Sequence, residues 1–206
     1  SDGAHVKFNI YNSNISVDVF TTRPDTIFGV SFLTLAPELD IISQIISEEN
    51  NEEVNKYIEN TARKSERERQ ANQGTPTGVF TGAHAIHPFS GEKIPIWISE
   101  YVLSGYGTGA VMAVPAGDQR DHDFAKKFNL NIPAIFKNKE TKIEAYTEKD
   151  VTYINSSFVN GMDFKKATEQ ILKALEERKQ GVRKTNYRLR DAIFSRQRYW
   201  GEPFPV

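Results

Sequence analysis

Alternation of apolar and polar residues predicts strands in the first part of the chain. Residues 15–20 alternate in this way and are rich in β-branched side chains, which is typical of a strand with one buried face. Pro24 ends the pattern, because proline cannot donate a ladder hydrogen bond and favours extended geometry at the preceding Arg23. The apolar residues 30–36 predict a second strand.

Helical spacing of apolar residues appears four times along the chain. Pro37 suits the first turn of a helix whose apolar face would consist of Leu39, Ile42, Ile45 and Ile46. Residues 52–64 predict a second helix. Asp118 is a suitable N-cap for a third helix that ends near Phe128, and residues 164–179 show the clearest helical pattern.

The remaining segments predict a loop and further strands. Residues 65–77 are polar and lack apolar periodicity, so we expect a loop there. Four segments have strand character, namely residues 78–81, 94–103, 110–114 and 132–136. Because strands occur both in adjacent runs and separated by helices, we predict an α/β fold. Its core would be a mixed sheet or open β-barrel flanked by helices.

Composition narrows the class of protein. The 206 residues are 38% hydrophobic and 26% charged, which is ordinary for a soluble globular domain. No run of eighteen apolar residues exists, so we expect no membrane span. Cysteine is absent, which excludes disulfides and thiolate ligands and fits a cytoplasmic protein. The four histidines form no metal-ligand pattern, so we also expect no bound metal.

The charges are unevenly distributed although the net charge is only −1. Residues 38–59 are acidic apart from Lys56, whereas residues 178–198 are basic apart from Asp191. Such a basic run is often only a solvated surface. It is also typical of contact with phosphates, and composition leaves both interpretations open.

Two motifs indicate a family. They are TTRPDTIFG at residues 21–29 and GTGAVMAVPAGDQRD at residues 107–121, and three further blocks follow the same order at residues 77–82, 93–97 and 195–203. Together they resemble the editing domain of bacterial-type leucyl-tRNA synthetase. The isoleucine and valine enzymes resemble the chain less, because their threonine motif reads TPWT. The two ATP-binding signatures of the synthetic core do not occur in these 206 residues.

The resemblance implies a domain division and an activity. Residues 1–190 would form the editing domain, and residues 191–206 would be the junction that re-enters the synthetic core. The expected activity is hydrolysis of misacylated tRNA(Leu), such as the norvalyl or isoleucyl form, with leucyl-tRNA(Leu) excluded. The implied partners are the 3′ end of tRNA(Leu) and the rest of the synthetase. No cofactor is expected in this domain, although the parent enzyme uses ATP and Mg²⁺. The alternative is a non-catalytic module that binds the tRNA acceptor end.

Site residues follow from the same resemblance. Asp121 would bind the α-ammonium group of the substrate, since a charge-assisted hydrogen bond is strong and fixes orientation. The alternative for Asp121 is a helix-face carboxylate paired with Arg120 or Lys127. Thr21 and Thr22 would hydrogen-bond the ester or the attacking water, although threonine is also common at strand ends and caps.

The resemblance assigns the remaining contacts to the amino-acid side chain and the adenine. Thr26 would exclude leucine by its bulk, and Met112 and Val114 would line the same pocket, which is compatible with the alternative that they pack in the core. Asp118 would be a second ammonium contact in addition to its N-cap role. The adenine would meet Leu103 and Tyr106. We expect Arg23 to form an ion pair that braces its loop.

Overall fold

The computed structural model describes residues 2–71 and 74–186, and these form a mixed α/β fold. An open mixed sheet is flanked by helices, which confirms the predicted fold class. The described strands are β1 Asp2–Ile10, β2 Ser16–Thr21, β3 Phe32–Leu35, β4 Val79–Ile86, β5 Lys93–Ile98, β6 Ala110–Ala113 and β7 Gly181–Thr185. The described α-helices are α1 Ile42–Ile45, α2 Asn51–Ala62, α3 Glu66–Ala71, α4 Gln119–Lys127 and α5 Phe164–Glu177.

The order of strands across the sheet is β2-β1-β4-β5-β3-β6, and β7 pairs with the first half of β1. The β3–β5 pair is parallel, whereas the other described pairs are antiparallel. The outer strands β2 and β6 are not hydrogen-bonded to each other, yet they lie in contact. The sheet therefore curls until its two ends meet, which brings together segments about ninety residues apart in the chain.

Aromatic side chains form much of the core between the sheet and the helices. The ring of Phe124 on α4 stacks on Phe32 of β3, with centroids 5.1 Å apart, and meets the edge of Trp97 on β5 at 5.5 Å. Helix α5 buries one face, formed by Ala167, Ile171, Leu172 and Leu175. The packing of α4 on β3 and β5 fixes the position of the acidic residues on its first turn.

The predicted elements largely agree with the structure. Strands β2, β3, β4, β5 and β6 and helices α2, α4 and α5 each overlap a predicted element, and Asp118 is the N-cap of α4 as expected. The predicted strand at 94–103 is too long, because β5 ends at Ile98. The helix expected after Pro37 shrinks to the single turn α1. The strand expected at 132–136 is wrong, since only Phe136 pairs there, in an isolated bridge with Tyr153.

The loop predicted at residues 65–77 contains helix α3, so that prediction is wrong in part. The Ser65 hydroxyl accepts a hydrogen bond from the backbone N–H of Glu68, and the Glu68 carboxylate accepts from the Ser65 N–H and hydroxyl. This reciprocal pairing is a capping box, which stabilises a helix start without any apolar periodicity. Strands β1 and β7 were not predicted at all. The predicted junction 191–206 lies outside the described residues.

Substitution of Gly82 on β4 by alanine tests how tightly the helical layer packs on the sheet. Its φ is +80°, and an added Cβ would lie 2.1 Å from the Ser47 Oγ. Gly91 is a matched control, because its φ is +73° but no atom lies within 4 Å of an added Cβ. We expect Gly91→Ala to cost about 1–2 kcal/mol of unfolding free energy from backbone strain alone. Gly82→Ala should cost about 1–3 kcal/mol more, because it also overpacks the contact.

Urea denaturation measures the unfolding free energy of both variants, and equal m-values show that the two values can be compared directly. Equal destabilisation of the two variants would contradict the close approach of Ser47 to the strand.

Candidate active site

The threonine-rich segment and the β6–α4 connection meet because the sheet curls. Thr21 ends β2 and a 3-10 helix, Pro24–Gly29, follows it, whereas Met112 lies on β6 and Asp121 on the first turn of α4. These segments line one cavity of about 530 Å³. All nine site residues predicted from the sequence line it: Thr21, Thr22, Thr26, Leu103, Tyr106, Met112, Val114, Asp118 and Asp121.

Backbone geometry orders the threonine-rich segment. The Thr21 hydroxyl oxygen accepts a hydrogen bond from the Arg23 N–H at 3.0 Å. Thr26 donates to the Arg23 carbonyl twice, from its hydroxyl at 2.8 Å and from its N–H at 3.1 Å. Thr26 is buried, whereas Thr22 is exposed at the cavity wall. The three threonines therefore sit in a closed turn centred on Arg23.

The Arg23 side chain braces this turn, as expected from the sequence. Its guanidinium donates to both carboxylate oxygens of the fully buried Asp25, with the Nη2–Oδ2 distance 2.9 Å. The hydroxyl of Tyr153 donates to the same carboxylate, and the guanidinium lies 5.2 Å above the centroid of the Phe164 ring. Burial and the charge of Asp25 raise the pKa of Tyr153, so its hydroxyl remains a donor. Arg23, which also lines the cavity, thus ties the threonine turn to Asp25 and to α5.

Asp118, the N-cap of α4, and Asp121, on its first turn, have different partners. The Asp118 Oδ1 accepts the N–H groups of Arg120 at 2.9 Å and Asp121 at 3.4 Å, as an N-cap does. The Asp121 Oδ2 accepts the Val114 N–H at 2.9 Å, and its Oδ1 accepts the Tyr101 hydroxyl at 2.8 Å. The alternative prediction of an ion pair from Asp121 to Arg120 or Lys127 is not the arrangement found.

Arg120 and Lys127 have other partners. The Arg120 Nη2 lies 3.5 Å from the Asp118 Oδ2. The Lys127 Nζ donates to the carbonyl of Pro76 at 2.6 Å. Asp121 is therefore held by two neutral donors, and its side of the cavity can accept a cation.

The environment of Asp121 disfavours a negative charge. Burial, followed by repulsion from Asp118, raises the pKa of Asp121 to about 7, against the opposing effects of the Val114 N–H, Tyr101 and Arg120. The carboxyl group is thus close to half-protonated near neutral pH. A cationic group that entered the cavity would lower this pKa and restore the charge.

Leu103 and Tyr106 give another part of the cavity an apolar and aromatic lining. Tyr106 is 46% exposed, and its N–H donates to the Leu103 carbonyl at 3.2 Å in a tight turn. Gly107 has a φ of +61°, and an added Cβ would lie 3.0 Å from the Phe20 Cβ, so this turn requires glycine. The turn presents a flat ring beside backbone groups, which suits a planar base.

Sequence reasoning missed Arg69 on α3, which also lines the cavity. Its buried guanidinium donates to the carbonyls of Glu100 at 3.0 Å and Val102 at 2.8 Å, and it pairs with the Glu38 carboxylate. Arg69 thereby fixes the backbone that leads to Leu103. The Ser65–Glu68 capping box was the signal that could have revealed this helix.

Tyr101 was also missed, although it touches Asp121 directly. No motif marks it, because its partners lie twenty and sixty-seven residues away in the chain.

The described ranges contain neither a metal-binding cluster nor a membrane-spanning helix. Residues 2–71 and 74–186 hold no group of three or more His, Asp or Glu side chains arranged to bind a metal ion. In the same ranges no helix has the length and apolar character needed to cross a bilayer.

Fold and cavity together define a class of protein. A volume of about 530 Å³ lies in the range that small ligands occupy, and the walls combine hydroxyls, a buried carboxylate and apolar side chains. The protein is thus a mixed α/β domain with a pocket for a small polar and apolar ligand. Comparison with known proteins gives the family. The family model described as leucyl-tRNA synthetase, editing domain, matches residues 1–176. The chain belongs to this family.

Relatives and a solved structure agree with the family. The chain is 60% identical over 207 residues to the leucine–tRNA ligase of Christiangramia forsetii and 57% identical over 212 residues to that of Flavobacterium johnsoniae. All of the chain is covered in both, but it spans only 22% of each relative. The LeuRS of Agrobacterium radiobacter K84, solved as a ternary complex with tRNA and LeuAMS, matches this chain with a TM-score of 0.74 and is 33% identical to it in sequence. That match covers 92% of this chain and 20% of the other.

The raised pKa of Asp121 predicts a specific pH dependence of stability. Because the folded pKa lies above the ordinary value of 3.8, Asp121 stabilises the fold fully below about pH 4. This contribution is lost as the pH rises through about 7. Asp121→Asn should therefore become more stable relative to the wild type as the pH rises from 4 to 8. Urea unfolding at each pH measures the difference.

Asp123→Asn controls for loss of a carboxylate, since Asp123 lies on the exposed side of the same helix. If Asp121→Asn and Asp123→Asn changed the unfolding free energy equally at every pH, burial of Asp121 would not be the cause of the pH dependence.

Proposed function

We propose that this domain hydrolyses misacylated tRNA(Leu), taking norvalyl or isoleucyl esters and excluding leucyl-tRNA(Leu). The observation that supports this most directly is the position of Asp121 and Thr26 on the walls of one cavity. Asp121 would bind the ammonium group, and Thr26 would limit the size of the amino-acid side chain. Membership of the leucyl-tRNA synthetase editing family supports the same activity in general.

Substrate binding begins with the α-ammonium group at Asp121. The carboxylate is already desolvated and fixed by the Val114 N–H and the Tyr101 hydroxyl, so little reorganisation is needed when a cation arrives. The ammonium group lowers the pKa of Asp121 and completes a charge-assisted pair. Asp118 lies on the same cavity wall and supplies a second negative charge.

Hydroxyl groups on the threonine turn would act on the ester. Because the Thr21 oxygen accepts from the Arg23 N–H, its hydrogen remains available for the ester oxygen or the attacking water. Thr22 is exposed on the same wall. The water attacks the ester carbonyl carbon, the bond to the ribose oxygen breaks, and that oxygen takes up a proton. We propose that the neighbouring ribose hydroxyl of the tRNA helps to hold the water.

Selection against leucine would reside at Thr26. Its hydroxyl is fixed on the Arg23 carbonyl at 2.8 Å, so the position of the side chain is set by the braced turn. Met112 and Val114 complete the apolar part of the cavity. Steric discrimination by one methyl group amounts to roughly 1–3 kcal/mol, or about 10- to 200-fold. A branched γ-carbon would meet Thr26, whereas a straight chain would pass.

The terminal adenosine would lie against Leu103 and Tyr106. The backbone before them is held by Arg69, whose guanidinium binds the Glu100 and Val102 carbonyls. The proposed partners are the 3′ end of tRNA(Leu) and the rest of a leucyl-tRNA synthetase in the cytoplasm. We propose no cofactor for this domain, whereas the synthetic reaction of a parent enzyme would use ATP and Mg²⁺.

A non-catalytic module that only binds the acceptor end is the second candidate. The exposed aromatic surface at Tyr106 would suit such a role as well as an enzyme's. The ammonium site and the threonine turn in the same cavity favour the enzyme. The third interpretation, an isoleucine or valine editing domain, is disfavoured by the family match.

Deacylation of isoleucyl-tRNA(Leu) against leucyl-tRNA(Leu) tests the proposal. The assay uses the 206-residue chain and a chimera in which it replaces the matching segment of the Christiangramia forsetii ligase. Both proteins should release isoleucine and spare leucine. Asp121→Ala should reduce the rate about 10- to 150-fold, since a hydrogen bond to a charged group contributes about 1.5–3 kcal/mol. Asp123→Ala on the exposed side of α4 should have no effect.

Circular dichroism of Asp121→Ala would show whether the fold is retained. Full deacylation by a folded Asp121→Ala protein would remove Asp121 from the ammonium role. Tight tRNA binding without any deacylation in the chimera would favour the non-catalytic module.

Thr26→Ala tests the specificity wall. Removal of the side chain should admit leucine, so that release of labelled leucine from leucyl-tRNA(Leu) rises about 10- to 200-fold. Thr26→Val is the matched control, because it keeps the volume and removes the hydrogen bond to the Arg23 carbonyl. If selection is steric, Thr26→Val should still spare leucine. An unchanged leucine rate in Thr26→Ala would show that another residue excludes leucine.

A further inference from the structure

Tyr101 connects the buried sheet to the acidic wall of the cavity. It follows β5, and its ring meets the edge of Phe124 with centroids 5.8 Å apart. Its hydroxyl lies 2.8 Å from the Asp121 Oδ1 and 3.2 Å from the Oγ1 of Thr34, which is fully buried on β3. The three oxygens form a chain from the centre of the sheet to the cavity.

The hydrogens available on the three side chains determine which group donates in each hydrogen bond of this chain. An ionised carboxylate only accepts, so the single hydrogen of Tyr101 is donated to Asp121. Thr34 must then donate to the Tyr101 oxygen. Burial and the nearby Asp121 charge raise the pKa of Tyr101 well above its usual value, so the tyrosine remains a donor. Donation from Tyr101 stabilises the ionised carboxylate and thereby opposes the rise in the pKa of Asp121 that burial causes.

Other charged groups near Asp121 do not replace this interaction. On α4 itself, repulsion from Asp118 raises the pKa of Asp121 and Arg120 lowers it. Three further charged groups line the cavity but have partners of their own: Arg23 with Asp25, Glu100 with Lys64, and Arg69 with Glu38. Side-chain donation to the Asp121 carboxylate thus comes from Tyr101 among the described contacts.

We propose that Tyr101, supported by Thr34, is a positioning residue that keeps the Asp121 carboxylate charged and aimed at the substrate ammonium group. The proposal rests on the deacylase function proposed above. Tyr101 acts through Asp121 and not on the reacting ester. Its role is to extend ammonium binding to lower pH, because without it burial would leave Asp121 protonated under neutral conditions.

A carboxyl ¹³C NMR titration of the 206-residue chain tests the proposal without any activity assay. The Asp121 signal is assigned by its loss in Asp121→Asn. Its midpoint should lie near 7 in the wild type. In Tyr101→Phe, which keeps the ring contact with Phe124, the midpoint should rise by about one pH unit through loss of a hydrogen bond to a charged group.

Tyr57→Phe is the matched control. Its hydroxyl bonds Thr77 and the Glu100 N–H, each at 2.9 Å, so the variant loses a comparable pair of hydrogen bonds one residue from Tyr101. The Asp121 midpoint should not move in this control. Thr34→Val should raise the midpoint by less than Tyr101→Phe, and it also serves if Tyr101→Phe does not fold. An unmoved midpoint in folded Tyr101→Phe, or an equal rise in Tyr57→Phe, would overturn the proposal.

Deacylation of isoleucyl-tRNA(Leu) by the chimera then separates this proposal from the function itself. The spontaneous hydrolysis rate is subtracted at each pH. The acid limb of kcat/KM should move upward in Tyr101→Phe, with about tenfold loss well below the midpoint and recovery toward wild type at high pH. A uniform loss at every pH would indicate structural damage and contradict the positioning role. A wild-type protein without deacylation would refute the proposed function, while the NMR titration would still decide the role of Tyr101.

Discussion

The cavity depends on burying a carboxylate that has no cationic partner of its own. Asp121 is 7% exposed and is held by an N–H group and a hydroxyl, both of them neutral. Burial of an unpaired charge is costly, and the protein meets part of that cost by leaving the group near its titration point. A cationic ligand relieves what the fold alone leaves unsatisfied. The proposed affinity for an amine would therefore be a consequence of how the site is built.

Rigid surroundings would make the cavity selective for the size of the amino-acid side chain. Asp121 is fixed by the packing of α4 on the sheet, and the threonine turn is fixed by the pairing of Arg23 with Asp25. Because these contacts hold the threonine turn and α4 in place, we expect the space between them to change little when a ligand binds. A rigid gap can reject a side chain that is one methyl group too large, whereas a soft one would adjust to it.

The fold and site were predictable from sequence where the controlling interactions are local. Helix α4 follows from the cap at Asp118 and an apolar face, and all nine predicted site residues line one cavity. Strand β1 was missed although Val6, Phe8 and Ile10 alternate with polar residues, because its polar start masked the pattern. Helix α3 was missed because its stability comes from a capping box and from Arg69.

Long-range contacts set the limit of prediction. The apolar residues 132–136 resemble a strand, but only Ile135 and Phe136 are buried and the segment pairs only through the bridge at Phe136. The proposed role of Tyr101 depends on Thr34 and Asp121, which come close because β5, β3 and β6 are neighbours in the sheet. No spacing rule connects such residues, since the sheet topology alone brings them together.

The pairing of β1 with β7 has a mechanical consequence. Asp2 lies opposite Thr185, and the threonine hydroxyl donates to the aspartate at 2.7 Å. Because the pair is antiparallel, the first residue of β1 and the last residue of β7 lie at the same end of the ribbon. In any longer protein that contains this segment, a pull on this end of the ribbon would act close to the cavity, because Ala4 of β1 pairs with Thr21, which lines it.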